Sequence, residues 1–293
     1  MSLSAARFRW SPIWAVPIVL LCMACERPEP SAAPDGDAQR AARIVSLSPG
    51  VTATLVELGI EELVVGRTPW CSGVSNAPAV GTLLDIDAEA IVRANPTLIF
   101  VQPPAQGIPA ALIDLAQEKG WSVVPIQLAS LADCKRAVRD IAAACAPLLD
   151  EAARTQMQDR VGQLSTAFDA ATAPITEAAN KRILSVLCGE EDADLLAFGI
   201  DTYLMDALQS MGFAAALDRA GYQSLGQEDL LRLKPDIVIL LGRGQSTARF
   251  DTLVAGGTRV VRVQEPALLQ PGGGITASLD QLRARLVFEV QSP

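Results

Sequence analysis

The chain has 293 residues, half of them hydrophobic and only 4 % aromatic, and its 33 acidic and 24 basic residues give a formal charge of −9. This length and apolar content favour two packed domains, and the negative charge argues against a basic nucleic-acid-binding surface. The sequence contains no histidine, which removes the most common protein general base and metal ligand.

The N-terminus is typical of an exported protein. Arg7 and Arg9 precede the apolar run IWAVPIVLLCMA, which is short for a membrane span and is followed by Cys25. The order LCMAC resembles a bacterial lipoprotein cleavage site. Residues 1–24 are therefore predicted to be a signal peptide and Cys25 the lipidated residue, with an ordinary signal peptide or an uncleaved anchor as alternatives. Residues 25–42, rich in proline, alanine and acids, are predicted to form a disordered tether.

Strands and helices alternate along the first half of the mature chain. RIVSLSPG (43–50) begins as a strand, and Ser48 and Pro49 are suited to the N-cap and first turn of the helix that follows. A short strand (62–65), a helix led by Glu89, the strand TLIFV, the helix PAALIDLAQEKG and the strand SVVPI come next. This alternation predicts a mainly parallel sheet.

The second half repeats the first. EAIVRANPTLIFV, which begins at Glu89, is echoed by EDLLRLKPDIVIL, which begins at Glu228, 139 positions later. RILSVLCG (182–189) follows RIVSLSPG by the same 139 positions. Two matches at one offset predict two similar α/β lobes.

A helix is predicted between the two halves. Residues 147–173 carry apolar side chains at helical spacing, and a helix of about 25 residues would be about 37 Å long. Its position favours a strut that joins the lobes, and a surface helix of one domain is the alternative. The predicted domains are thus an N-terminal lobe (43–146), the linking helix and a C-terminal lobe (181–293).

These motifs together resemble the substrate-binding proteins that serve ABC importers of cobalamin, haem and ferric siderophores. The resemblance rests on RIVSLSPGVTATLVELG, VGTLLDIDAEAIVRANPTLIFV and GYQSLGQEDLLRLKPDIVILL. It implies an α/β fold of two similar lobes with mainly parallel central sheets, joined by one long α-helix, with a ligand cleft between them. It also implies that Glu89 and Glu228 dock onto the two subunits of a permease. The alternative is that both only stabilise the first turn of a helix.

The ligand of such a protein lies between the lobes, against loops at the ends of strands. Trp70 carries the most weight, because a flat aromatic side chain suits the face of a corrin or porphyrin. It could instead merely cover the edge of its lobe. Cys71 could be a soft metal ligand, half of a disulfide or an inert buried thiol. The predicted ligand-binding residues are Ser48, Pro49, Trp70, Cys71, Leu83, Phe198, Tyr203, Tyr222 and Arg243.

The resemblance does not decide which ligand is bound. A corrinoid is ranked first, because its amide fringe needs hydrogen bonds more than charge. A ferric siderophore is second and haem third, since only Tyr203 and Tyr222 could serve haem iron in place of histidine. No catalytic residue, resident cofactor or protein-held metal is expected; the bound ligand would be a cobalt or iron chelate. The sequence has no CxxC spacing and leaves any disulfide pairing open.

The expected partners are the chelate, a dimeric ABC permease and, through the lipid anchor, a membrane; nucleic acid is not expected. The protein is predicted to be a monomer in the periplasm or on the outer face of the cytoplasmic membrane. Two other classes remain as rivals. One is an enzyme, for which GxGxxG, P-loop and GxSxG motifs are missing. The other is a surface lipoprotein that takes no part in transport.

Overall fold

The computed structural model describes residues 42–188, 195–242 and 248–291. Cys25, Arg243, the predicted signal peptide and nearly all of the predicted tether lie outside these ranges, so the predictions for them remain predictions. Within the described ranges, no helix combines the length and apolar character needed to cross a membrane.

The first lobe (43–146) is built on a sheet in which every strand pairing is parallel. The predicted strand at 62–65 begins later than expected, because Glu61–Leu63 form a 3-10 turn. The elements are β1 (Ile44–Ser46), α1 (Pro49–Glu57), β2 (Val64–Arg67), α2 (Ala88–Ala94), β3 (Leu98–Val101), α3 (Ala110–Lys119), β4 (Ser122–Pro125) and α4 (Leu131–Cys145). The strand order is β2-β1-β3-β4.

A second sheet follows the linking helix α5 (Glu151–Ala171) and forms the second lobe (181–291). Its elements are β5 (Arg182–Leu187), β6 (Leu195–Phe198), α6 (Tyr203–Ser210), β7 (Ala214–Ala215), β8 (Tyr222–Leu225), α7 (Gln227–Leu233), β9 (Ile237–Leu241), α8 (Asp251–Ala255), β10 (Arg259–Val263) and α9 (Thr276–Gln291). The order is β10-β9-β5-β6-β8, with β7 also pairing with β5. Strand β6 is antiparallel to both neighbours. The sequence analysis did not predict this strand, because an apolar run of four residues is too short to identify one.

The sequence repeat is also a repeat of strand register. Ile44 of β1 lies opposite Leu98 of β3, and Ile183 of β5 lies opposite Ile237 of β9. Each residue of the second pair follows its counterpart by 139 positions, the offset seen between the motifs. The expectation of two similar lobes is therefore met at the level of individual strand pairs.

An arginine at the start of each sheet reinforces the repeat. The guanidinium of Arg43 donates from Nη2 to the carbonyl of Ala94 (2.8 Å), at the end of α2. The guanidinium of Arg182 donates from Nη1 to the carbonyl of Leu233 (2.8 Å), at the end of α7. The last carbonyls of a helix lack partners within the helix, and a cation is favourable there. Each arginine thus fixes the helix led by Glu89 or Glu228 onto its sheet.

The linking helix is shorter than the predicted 147–173. Residues Ala146–Leu148 form a separate 3-10 turn, and the Oδ1 of Asp150 accepts the N–H of Ala153 (2.8 Å) and so starts α5 at Glu151. The 21 residues of α5 span about 31 Å. The helix packs on α4 and on α9.

One hydrophobic core joins the two lobes. A single buried cluster includes Ile44 from the first sheet, Ile183 from the second, Leu164 from α5 and Leu282 from α9. The backbone N–H of Tyr203 donates to the carbonyl of Ala129 (2.7 Å), which links the two lobes directly.

The segment Pro266–Thr276 leaves the second sheet and packs against the first lobe. The N–H of Gly273 donates to Oγ1 of Thr54 in α1 (2.8 Å). The segment is also held to its own lobe, where the hydroxyl of Tyr203 donates to the carbonyl of Leu268 (2.6 Å). Residues that belong to the second lobe by sequence thus complete the packing around α1.

The fit between this segment and α1 can be tested at Gly50. A Cβ placed on Gly50 would lie 1.9 Å from the carbonyl oxygen of Pro271, so Gly50→Ala should lower the free energy of unfolding by about 1–3 kcal/mol. Gly162→Ala is the matched control, because a Cβ there meets nothing within 4 Å on α5. It should raise the free energy by about 0.5–1 kcal/mol. Urea denaturation measures both, and equal effects would contradict the packing described.

A second test concerns Asp206, whose Oδ2 accepts the N–H of Leu131 (3.0 Å) across the lobe boundary. Asp206→Ala leaves that helix-start donor unpaired and should cost about 1–2 kcal/mol in denaturant. Asp206→Asn keeps an acceptor and should cost less. Burial raises the pKa of the Asp206 carboxyl above its usual 3.8, so ionisation disfavours the folded state. The native protein should therefore lose stability relative to Asp206→Asn as the pH rises above 3.8; a constant difference would contradict this.

Candidate functional site

The carboxyl ends of the parallel strands β1 to β4 meet at one edge of the first sheet, the usual place for ligands in open α/β sheets. Neutral polar residues follow the strands there: Ser48, Thr68, Gln102 and Gln127. Gln102 and Gln127 are exposed. Sequence reasoning missed both, although each is the first polar residue after an apolar run at a strand. Four neutral hydrogen-bonding side chains therefore gather at this edge, next to the guanidinium of Arg67 at the end of β2.

Ser48 holds part of this edge in place through its side-chain hydrogen bonds. It is buried, and its Oγ accepts the N–H of Val51 (3.4 Å) at the start of α1, as the sequence predicts for an N-cap. The same hydroxyl donates to Oε1 of Gln102 (3.1 Å). Ser48 thus positions the exposed amide of Gln102, and Pro49 beside it is half-buried in the first turn of α1.

Trp70 is the most prominent apolar residue after β2, with 65 % of its surface exposed. Leu83, predicted to line the cleft, instead lies in the core of the first lobe beneath α2. Its neighbour Leu84 is exposed. These leucines lie in an irregular loop, where buried and exposed positions follow no regular period. The sequence therefore did not show which leucine faces outward.

The thiol of Cys71 is buried among hydroxyl groups. Oγ1 of Thr52 donates to Sγ of Cys71 (3.0 Å), and Oγ1 of Thr68 lies 3.1 Å from the same sulfur. Cys71 follows the exposed Trp70 in the sequence, but its side chain lies inside the lobe. This placement agrees with the alternative of an inert buried thiol.

The predicted residues of the second lobe form an aromatic cluster. The ring of Phe198 packs edge-on against Tyr203, with 6.1 Å between centroids, and against Tyr222, with 5.2 Å. Phe198 and Tyr203 are buried, whereas Tyr222 is 51 % exposed. Of the three, Tyr222 alone presents substantial surface to a ligand, and Tyr203 belongs to the contact between the lobes.

The phenol of Tyr222 is held in its neutral form. Burial raises its pKa, and the nearby thiol of Cys134 adds to the increase. Tyr222 is therefore a neutral aromatic hydrogen-bonding group at physiological pH. Residues 189–194 after β5 and residues 243–247 after β9, which include Arg243, lie outside the described residues.

Glu89 and Glu228 are exposed at equivalent points of α2 and α7. Glu89 lies one residue beyond the start of α2, where Oδ1 of Asp87 accepts the N–H of Ala90 (2.9 Å) and caps the helix. Glu228 lies one residue beyond the start of α7. Both positions suit contact with another molecule and also favour the helix dipole.

A cavity of about 490 Å³ lies beside β2 and α2, away from the predicted ligand residues. Arg43, Glu61 and Arg93 contribute to its wall. Elsewhere, no group of three or more cysteine, aspartate or glutamate residues within the described ranges could hold a metal ion.

A family model described as periplasmic binding protein matches residues 44–257. No curated protein matches the sequence.

Several solved structures share the fold, which confirms the predicted two-lobe α/β architecture. The periplasmic haem-binding protein RhuT from Roseiflexus sp. RS-1, in its apo form, is 19 % identical with a TM-score of 0.67, over 86 % of this chain and 100 % of that chain. The vitamin B12-binding protein BtuF of Vibrio cholerae is 15 % identical with a TM-score of 0.66, over 86 % and 99 %. A possible iron-binding (periplasmic solute-binding) protein from Staphylococcus epidermidis ATCC 12228 is 21 % identical with a TM-score of 0.65, over 83 % and 98 %.

The accessibility of the cysteines gives a direct test of this site. All four cysteines in the described ranges are free thiols, and only Cys188 is half-exposed. Burial raises the pKa of Cys134 and of Cys145 to about 12, so neither supplies the reactive thiolate. Ellman's reagent should modify Cys188 alone in native protein that begins at residue 26, and Cys188→Ser should abolish the reaction. Rapid modification of Cys71 would show that its thiol reaches the cleft.

Proposed function

Because the chain belongs to the periplasmic binding protein family, we propose that it is the substrate-binding component of an ABC importer and that its ligand is cobalamin or a related corrinoid. The family match spans residues 44–257, and this family consists of binding proteins. In this role the protein captures a solute outside the inner membrane and delivers it to a permease.

The observation that supports a corrinoid is the group of neutral hydrogen-bonding side chains at the carboxyl ends of the strands of the first sheet. Gln102 and Gln127 are exposed there, and Trp70 adds a large flat apolar surface. A corrin ring carries an apolar face and a fringe of neutral amides. Aromatic packing with amide hydrogen bonds is the recognition that such a ligand needs.

An anionic ferric siderophore is a weaker candidate, because it would need free cations at this edge. The guanidinium of Arg67, at the end of β2, donates instead to the carbonyls of Ala77 and Thr68 (3.0 Å each). Arg67 therefore keeps its charge but uses two of its donors within the lobe, which leaves fewer of them for an anionic ligand.

Haem is the remaining candidate, and the exposed phenol of Tyr222 is the feature that favours it. Structures similar in fold include proteins described as haem-binding. Tyr203, the other tyrosine, donates its hydroxyl to the carbonyl of Leu268 (2.6 Å) in the core. Iron ligation would therefore fall to Tyr222, whose raised pKa opposes phenolate formation.

Delivery requires contact with the permease and a position outside the cell membrane. Glu89 and Glu228 are proposed as the docking residues, since both are exposed at repeated positions. Export by residues 1–24, lipid attachment at Cys25 and action as a monomer complete the proposal. A surface lipoprotein without a transport role would bind none of these chelates.

Titration calorimetry of residues 26–293 with cyanocobalamin, haemin and a panel of ferric siderophores tests the ligand. We expect saturable one-to-one heat with cyanocobalamin. Trp70→Ala should weaken binding by about tenfold or more through the loss of aromatic packing. Phe288→Ala, which removes an exposed aromatic side chain of α9, is the matched control and should leave the affinity unchanged.

The other outcomes of this titration are decisive as well. Tight haemin binding that is lost in Tyr222→Phe would replace the corrinoid assignment with haem. Binding of an anionic siderophore alone would show that residues beyond the described edge supply the necessary charge. If none of the ligands in the panel gave binding heat, the result would favour the surface lipoprotein without a transport role.

A further inference from the structure

The helices α2 and α7 expose an apolar residue one turn after the glutamate. Val92 is 41 % exposed and Leu231 is 38 % exposed. Val92 is the third residue after Glu89, as Leu231 is after Glu228, and residues three apart lie on one face of a helix. Arg93 and Arg232 follow directly, and both are exposed. We call Glu89, Val92 and Arg93 the first docking patch, and Glu228, Leu231 and Arg232 the second.

We propose that each docking patch binds one permease subunit through three contacts, of which the central one is the insertion of Val92 or Leu231 into an apolar recess. This inference rests on the proposed function and names the part of the surface that would supply apolar binding energy. The matching partner surface carries a basic group for the glutamate, an apolar recess, and an acidic or carbonyl group for the arginine.

The duplication separates these residues from ordinary exposed hydrophobic side chains. A single exposed valine or leucine is normal on a protein surface and carries no information. Packing explains why Ile91 and Leu230 are apolar, since both are buried against their lobes. Packing accounts for only part of the residue that follows each of them, since Val92 and Leu231 leave 41 % and 38 % of their surface exposed. The order acid, apolar residue, arginine nevertheless recurs on both exposed faces.

The charges of the two patches argue for a partner with matching features. In the first patch, Nη1 of Arg93 lies 3.6 Å from Oε2 of Glu89, with both side chains exposed. In the second, Nη1 of Arg232 lies 3.5 Å from Oδ1 of Asp229 instead of Glu228. Such exposed pairs contribute little to the stability of a helix. Their groups are therefore available for exchange with an opposite set of charges on the partner.

The repeat also indicates the symmetry of the partner. The arginine contacts that fix α2 and α7 are equivalent, as described above for Arg43 and Arg182. Both patches thus sit on rigid supports and offer the same chemistry twice. A dimeric permease presents two equivalent surfaces, so two similar patches fit it better than they fit a single asymmetric partner.

Binding of the full chain to its permease–ATPase complex in lipid nanodiscs tests the inference. The double variant Val92→Ser with Leu231→Ser should weaken binding by about tenfold, since the affected contacts are apolar and central. Because these contacts carry no charge, the loss should be the same at low and high salt. The double variant Glu89→Gln with Glu228→Gln should weaken binding mainly at low salt. Phe288→Ser is the control for an exposed apolar side chain outside the patches.

The outcomes separate this inference from the proposed function. If the glutamate variant weakens binding while the valine–leucine variant behaves like Phe288→Ser, the apolar contact is refuted and permease docking stands. If the unaltered protein does not bind the complex, the proposed transport role fails and the inference fails with it. Cyanocobalamin titration of the valine–leucine variant should match the unaltered protein, because the patches lie outside the predicted ligand residues. A reduced cyanocobalamin affinity would show a general disturbance of the fold and would contradict a specific docking role.

Discussion

The contact between the two lobes is the constraint on which the rest of the structure depends. The N–H of Tyr203 donates to Ala129 across the lobe boundary, and its hydroxyl holds the segment Pro266–Thr276 at Leu268. Within that segment, the carbonyl of Pro271 approaches Gly50 of the first lobe so closely that no side chain fits between them. These contacts extend one hydrophobic core across both sheets. Because protein interiors are densely packed, such a core does not allow one lobe to slide freely against the other.

A fixed relation between the lobes has consequences for ligand capture. The helix α5 adds a strut of about 31 Å that packs on α4 and α9. We expect a binder of this construction to hold a largely preformed site, so that little conformational entropy is lost when the ligand enters. The neutral edge with Gln102 and Gln127 is suited to this mode, since its hydrogen-bonding groups come from a rigid parallel sheet. Ser48 contributes indirectly by holding Gln102 (3.1 Å).

The two proposed activities, ligand binding and permease docking, depend on different surfaces of the repeated lobes. The outward faces of α2 and α7 have kept the same chemistry, which suits a two-fold partner. The inward parts of the lobes have diverged: the first offers Trp70 and amides, and the second offers Tyr222, which packs on the buried ring of Phe198 in the antiparallel strand β6. A small asymmetric ligand needs two different walls, whereas a symmetric permease needs two similar contacts. One duplicated lobe can meet both demands because the two surfaces lie on different elements.

The sequence by itself determined the elements whose causes are local or periodic. The Ser48 cap, the helices led by Glu89 and Glu228 and the 139-residue repeat could all be read from it, because capping, periodicity and duplication are written in the order of residues. The positions of Leu83 and Tyr203 were decided only by the tertiary structure: Leu83 packs under α2 while Leu84 is exposed, and Tyr203 serves the lobe contact instead of the cleft. The partner of Gly50 lies more than 200 positions away at Pro271. Burial of this kind depends on which distant segment arrives at a surface, and no local pattern carries that information.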